Sequence, residues 1–192
     1  MPNHVENELR VFGPRRELII FRDHVADEYN ALSANKLIPY PSEFEELDKK
    51  AEEWRKKWNG VLELIKEEDP DKAAALRTEA FKKFKAENGD WPKDGFNSGG
   101  YEWCISHWGT KWGFYEVELV RDTPEQNNLY YTFQTAWSPP IPLIEKMGEL
   151  FPKIRISLKY FEGGSGFQGV LRIDYGKVVE CYDKPYHGGR GG

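Results

Sequence analysis

Hydrophobic and polar positions alternate from Glu6 to Phe12, with Leu9 and Val11 on one side and Glu8 and Arg10 on the other, the two-residue period of a half-buried strand. Gly13-Pro14 punctuates this run, and Leu18, Phe21, Val25, Tyr29 and Leu32 then recur at three- and four-residue spacing. That period predicts a helix from about residue 15 to 32, with Pro14 suited to its first position. Ser42 and Glu45 have the spacing of a capping box, in which the Ser accepts from a backbone amide and the Glu reaches back, so a second helix is expected to start there. Phe44, Leu47, Ala51, Trp54, Trp58, Val61 and Ile65 follow on alternating three- and four-residue steps, the seam of a helix packed along a partner. Asn59-Gly60 weakens that helix midway. Asp69-Pro70 supplies a cap and a first residue for a further helix, lined by Ala73, Leu76, Ala80 and Phe84 and ended by Asn88-Gly89. The pair reads as an antiparallel helical hairpin, with charges such as Lys49, Lys50, Glu52 and Glu53 on a solvated outer face.

Residues 90–100 have loop composition and lead into the polar-aromatic segment Tyr101 to Trp112, after which strand signals return. Tyr115, Val117 and Leu119 alternate with Glu116 and Glu118. After a polar turn at Asp122 to Asn128, Tyr131, Phe133, Thr135 and Trp137 alternate with Tyr130, Thr132, Gln134 and Ala136, which predicts an antiparallel hairpin. Ser138 is a candidate cap for a short helix opened by Pro139-Pro140, with Ile144, Met147, Leu150 and Phe151 on its apolar side and Pro152 as its stop. Ile154 to Tyr160 and Phe167 to Tyr175 read as two further strands, and Lys177 to Tyr182 as a third.

The order β-α-(helical insert)-β-β-α-β-β predicts an α+β fold, a ferredoxin-like antiparallel sheet of split β-α-β type with helices on one face. A single domain is expected over residues 1–186, with the helical hairpin inserted at about 42–90 and a flexible tail at 187–192. The seam of the insert is equally able to pack on the domain or to pair with a second copy, so oligomeric state stays open. The open sheet face is expected to carry Glu8, Arg10, Glu116, Glu118, Thr132, Gln134, Arg155, Ser157 and Lys159, with Tyr130 as its main ring. Such a face is polar, mixed in sign and poorly suited to stacking bases.

Composition narrows the function classes. A net charge of −5 argues against the large basic surface that broad nucleic-acid binding requires. There is no run of 18 apolar residues and no basic, apolar leader at the N-terminus, so neither a membrane span nor secretion by a signal peptide is expected. Two cysteines, Cys104 and Cys181, are too few for a disulfide framework and fit a reducing compartment, by default the cytoplasm.

Candidate chemistry concentrates between Trp103 and Trp112, where Cys104, His107 and Lys111 lie among three tryptophans. Cys104 and His107 have the spacing of two zinc ligands, short of the three or four that zinc needs, so no metal and no cofactor is expected. As a nucleophile and base the same pair lacks any surrounding acyl-transfer signature, and no catalytic residue is assigned. Trp108, Thr110, Lys111, Trp112 and Trp137 form a candidate ligand site, the rings stacking a planar group and the lysine meeting an anion. Core packing is the competing reading of those rings. Gly109 suits a tight turn, and Gly163-Gly164-Ser165-Gly166 a hairpin loop, because phosphate loops lead from a strand into a helix. Trp54, Trp58, Phe44 and Leu47 on the insert are the candidate surface for a protein partner.

Several ordered blocks carry a family likeness: Met1-Pro2-Asn3 with Asn7 and Leu9, Tyr101-Glu102-Trp103 through Trp108-Gly109-Thr110-Lys111-Trp112, Ala136-Trp137-Ser138-Pro139-Pro140, and Phe151-Pro152 with Gly166-Phe167-Gln168-Gly169. On these the chain resembles the YubB-type family of ferredoxin-like proteins, from whose core residues 42 to 90 depart. The resemblance implies the same fold and a plasmid, prophage or phage setting, and carries over no catalytic residues. The expected function is therefore a non-enzymatic binding protein of a mobile element that engages a host or element-encoded protein, for example as a defence antagonist or regulator. The alternative is a module that binds or sequesters a nucleotide or small ligand through the Trp-Gly-Thr-Lys-Trp region.

Overall fold

In the computed structural model, which describes residues 3–65 and 69–188, the first alternating run forms β1 (His4–Phe12). Met1, Pro2 and tail residues 189–192 lie outside the described residues. The remaining elements are α1 (Arg15–Val25), α2 (Ala34–Leu37), α3 (Ser42–Leu64), α4 (Pro70–Asn88), α5 (Gly100–Trp108), β2 (Tyr115–Thr123), β3 (Asn128–Ala136), α6 (Ile141–Leu150), β4 (Arg155–Glu162), β5 (Phe167–Asp174) and β6 (Lys177–Pro185). The chain divides into two compact units, one of Met1–Pro39 with Glu102–Gly192, the other of Tyr40–Tyr101.

The larger unit is built on one six-stranded sheet in the order β2-β3-β1-β4-β5-β6, with every neighbouring pair antiparallel. Its first four strands in chain order stand as 2-3-1-4, the arrangement of a ferredoxin-like split β-α-β unit, and β5 and β6 extend it beyond β4. The alternation along β1 buries Val5, Leu9 and Val11 and leaves Glu6, Glu8 and Arg10 half-buried on the other face. Strand register carries this division across the sheet, since Leu9 pairs with Tyr131 of β3 and Leu158 of β4. Leu18, Phe21 and Val25 of α1 and Leu143, Ile144 and Met147 of α6 are fully buried. Phe21 meets the edges of Tyr131 and Phe151 with centroids 6.3 and 5.0 Å apart. At Gly148 of α6 a Cβ would stand 2.7 Å from Ile173 Cγ2 of β5, so this helix packs against the sheet only because the residue has no side chain.

Several local expectations are corrected. Helix α1 ends at Val25 rather than near residue 32. The Asp27 carboxylate accepts from the backbone N–H groups of Tyr29 and Asn30 at 2.9 and 2.8 Å, a local turn that competes with helix. Burial would raise the pKa of this carboxyl, but hydrogen bonds from Ser33, Tyr29 and Asn30 outweigh it and hold the group below its usual value. Tyr29 is consequently 85% exposed, while Leu32, carried back by the turn, is buried. The capping box at Ser42 does not form: Ser42 is already helical, and Pro41 O accepts from the N–H groups of Phe44 and Glu45 at 3.1 Å each. Helix α3 also runs through Asn59-Gly60 without a break. The Asp69 cap does form, its side chain accepting from the N–H groups of Asp71 and Lys72, and Gly89 ends α4 at φ 79°. Ser138 does not cap α6, whose N-cap is Pro140.

The smaller unit packs its rings between α3 and α4. Trp54 is 6% exposed, edge-on to Phe84 at 5.0 Å and against Trp91 at 4.6 Å. Its indole N–H donates to Gly89 O at 3.3 Å.

Candidate functional site

The segment Tyr101 to Trp112 starts as a helix, α5, rather than leading directly into a strand. Cys104 and Trp108, one turn apart, face inward at 2% and 7% exposure. The helix ends at Gly109, which at φ 76° turns the chain where other residues are strained. The following residues are tied to the segment after β3 by a relay of hydrogen bonds. The Asn7 amide donates to Thr135 Oγ1 at 3.0 Å, Thr135 Oγ1 donates to Ser138 O at 2.9 Å, and Ser138 Oγ donates to Gly109 O at 2.6 Å. Lys111 N–H adds a bond to Ala136 O at 3.3 Å, and Trp137 N–H donates to Asn3 O at 2.9 Å. Trp-Gly-Thr-Lys-Trp and Ala-Trp-Ser-Pro-Pro, far apart in sequence, thus form one corner of the larger unit.

The five residues expected to bind a ligand divide into two groups. Trp108 and Thr110 are inside: the Trp108 indole N–H donates to Ile38 O at 2.8 Å, and the fully buried Thr110 hydroxyl donates to Trp112 O. Lys111, Trp112 and Trp137 reach the surface together. The Lys111 ammonium lies over both indoles, 5.1 Å from the Trp112 centroid and 4.4 Å from that of Trp137, so each ring attracts the cation through its negative face. Trp137 is 42% exposed and has φ 74°. Trp112 also approaches Tyr115, whose hydroxyl is 2.6 Å from His4 Nδ1. Burial and the neighbouring Glu116 and Glu6 raise the pKa of the Tyr115 phenol.

Cys104 is buried, whereas His107 lies exposed along Trp103, its ring stacked at 4.4 Å and its Nδ1 3.0 Å from Trp103 O. Among the described residues no three of His, Cys, Asp or Glu converge as metal ligands. On the insert, Trp54 is taken up by the packing between α3 and α4, Trp58 lies on Phe81 at 5.1 Å, Phe44 lies beside Tyr40 at 5.8 Å, and Leu47 is half-buried. Apolar exposure on that unit falls instead on Leu64, Leu76 and Trp91.

The part Asn7 plays in this corner leaves only a faint trace in the sequence. Its signal was a polar residue in the buried phase of β1, between Val5 and Leu9. The bulge between Tyr115 and Glu118, which no alternation signals, places Tyr115 opposite Gln134 on the open face and Leu119 opposite Tyr131 on the core face.

Residues 114–189 match the family model of the ferredoxin-like domain in Api92-like protein. The whole chain is similar to the crystal structure of a protein api92 from Yersinia pseudotuberculosis, with a TM-score of 0.54 and 12% sequence identity over 98% of this chain and 99% of that one. At this identity the likeness is one of fold. No curated protein matches the chain. Among the described residues, no helix is long and apolar enough to cross a membrane.

Proposed function

We propose that this protein is a non-enzymatic binding protein that engages a protein partner through Lys111, Trp112 and Trp137. One observation carries the reading: Trp137 is a large, 42% exposed ring held at φ 74°. A bulky residue in that region costs on the order of 1–3 kcal/mol and persists only where its surroundings over-determine it. Here they do so through the bonds of Asn3, Thr135 and Ser138, and what the strain achieves is presentation of an indole at the surface. Exposed, pre-positioned tryptophans are the residues that dominate protein interfaces. The likeness to YubB-type proteins adds a setting, a phage, prophage or plasmid product in the bacterial cytoplasm that acts on a host or element-encoded protein as antagonist or regulator. Capture from host lysate with the wild-type chain and with Trp137→Gly tests this. A protein retained by the first and lost from the second, at equal folded fraction, is expected. Equal retention by both, or by neither, overturns the reading.

A second reading places a nucleotide or another planar anion on the same corner. It is favoured by Lys111, which has no carboxylate within ion-pair distance among the described residues. A ligand of this kind would raise Tm in proportion to its binding, and Trp112→Ala would abolish the shift.

A further inference from the structure

The open sheet face carries a second candidate site near the far end of β1 from His4. Ser157 of β4 stands between Arg10 of β1 and Arg172 of β5 in one cross-strand row. Arg155, two residues along β4, lies on the same face and diagonal to both. Diagonal neighbours are about 7–8 Å apart, and residues two strands apart about 10 Å, so three arginines are rooted around one serine, with the Arg10 guanidinium leaning towards Tyr130 of β3 and that of Arg172 towards Glu180 of β6. The side chains of Arg10, Phe12, Arg155, Ser157, Arg172 and Asp174 line a hollow of about 460 Å³, within the range of roughly 300–1,000 Å³ usual for small-ligand sites.

The arginines are held in place but not neutralised alike. The Arg10 guanidinium carbon stands 4.4 Å from the centroid of the Tyr130 ring, and that of Arg155 6.0 Å from the centroid of the Phe12 ring. Stacking on a ring leaves the N–H edge of a guanidinium free for bidentate bonds to an oxyanion. Neither arginine has a carboxylate within 4 Å among the described residues, whereas Arg172 is paired with Glu180 at 2.6 Å. The Ser157 hydroxyl, half-buried at the centre, makes no hydrogen bond to another described residue. At the rim, Asp174 is directly opposite Arg155 and is the one carboxylate of the hollow.

We propose that this hollow binds a small phosphate ester of the nucleoside monophosphate class. The phosphate takes the N–H edges of Arg10 and Arg155 and the Ser157 hydroxyl, with Arg172 as a third, partly compensated cation. Asp174 accepts from a sugar hydroxyl beside it, a contact that a bare inorganic anion would not offer. Phe12 supplies an apolar wall. The site is independent of the tryptophan corner, because Arg10 is six residues along β1 from His4, about 20 Å at the rise of a strand.

Calorimetric titration of the whole chain with AMP, inorganic phosphate and adenosine tests the proposal. AMP is expected to bind more tightly than phosphate, and adenosine not at all. Arg155→Gln and Arg10→Gln are each expected to weaken AMP by about tenfold or more. Asp174→Asn is expected to bring inorganic phosphate closer to AMP, by relieving repulsion while removing the hydroxyl contact. Loss of AMP binding in Trp112→Ala together with its retention in Arg155→Gln assigns the nucleotide to the tryptophan corner and overturns the proposal. Absence of AMP binding at millimolar concentration overturns the proposal, as does undiminished binding by Arg155→Gln. A short single-stranded oligonucleotide that binds more tightly than AMP and loses affinity steeply with salt also overturns it, assigning the face to a polymer.

Discussion

The Lys111 ammonium sits 4.4 Å from the centroid of the Trp137 ring, although 26 positions separate the two residues in the chain. The contact exists because Gly109 and Ser138 are hydrogen-bonded across the two segments, and it joins the cation to an indole whose backbone is in the left-handed region. Lys111→Gln removes the cation while keeping a similar side-chain length. The expected cost is about 0.5–1 kcal/mol, read from urea unfolding, together with a change in tryptophan fluorescence of the folded state.

At Trp137 the backbone and the side chain make opposite demands. Trp137→Gly relieves the strain of φ 74°, whereas Trp137→Ala keeps a Cβ there. The glycine variant is expected to be more stable than the alanine variant by about 1 kcal/mol, the reverse of their order in regular structure. Thermal unfolding of both checks the sign.

Gly109 is subject to two constraints at once. Its φ is 76°, and a Cβ there would lie 2.6 Å from Pro142 Cδ and 3.5 Å from Pro139 O. Gly109→Ala is expected to cost about 2 kcal/mol or more. The near-ultraviolet circular dichroism of Trp112 and Trp137 should change with it, because the turn sets where both rings stand.

Acid sensitivity should trace to Glu162. This residue is 5% exposed, and its carboxylate accepts from Gly164 N–H at 2.8 Å and from Ser165 N–H. Burial alone would raise its pKa, but the Ser165 and Gly164 bonds outweigh this and hold it below the ordinary 4.5. Because the folded value is lower than the unfolded one, the stabilisation is complete above the unfolded pKa and is lost as pH falls through the folded value. Glu162→Gln is expected to cost about 1–2 kcal/mol near neutral pH and to flatten the fall of stability with acidification below pH 4.5. Urea unfolding across that pH range measures both.

Much of the fold was legible because its signals are local. The alternation at Leu9 and Val11, at Tyr131 and Phe133, and at Ile156 and Leu158 marked the core face of three central strands, since a buried face repeats every second residue. Asp69-Pro70 and Gly89 bounded α4 correctly because capping is a property of a few neighbouring residues. Tyr29 misled because its helical spacing continued past Asp27, whose carboxylate captures the amides that the helix needed. Helix α5 was missed because Trp103, Cys104, Ile105 and Trp108 spread aromatic and apolar residues around it rather than along one stripe.

Spacing within a short window was enough for the order of the strands, for helices α1, α3, α4 and α6, and for the two tryptophan motifs. Which tryptophans are surface and which are core depended on contacts between distant segments. Trp108 and Trp137 belong to equally aromatic motifs, yet one donates to Ile38 O inside the unit and the other is turned outward by a left-handed backbone. Cross-strand register likewise brought Arg10, Arg155, Ser157 and Arg172 onto one patch from three strands. Register is set by which faces must be buried together, a condition on distant segments that no local window contains.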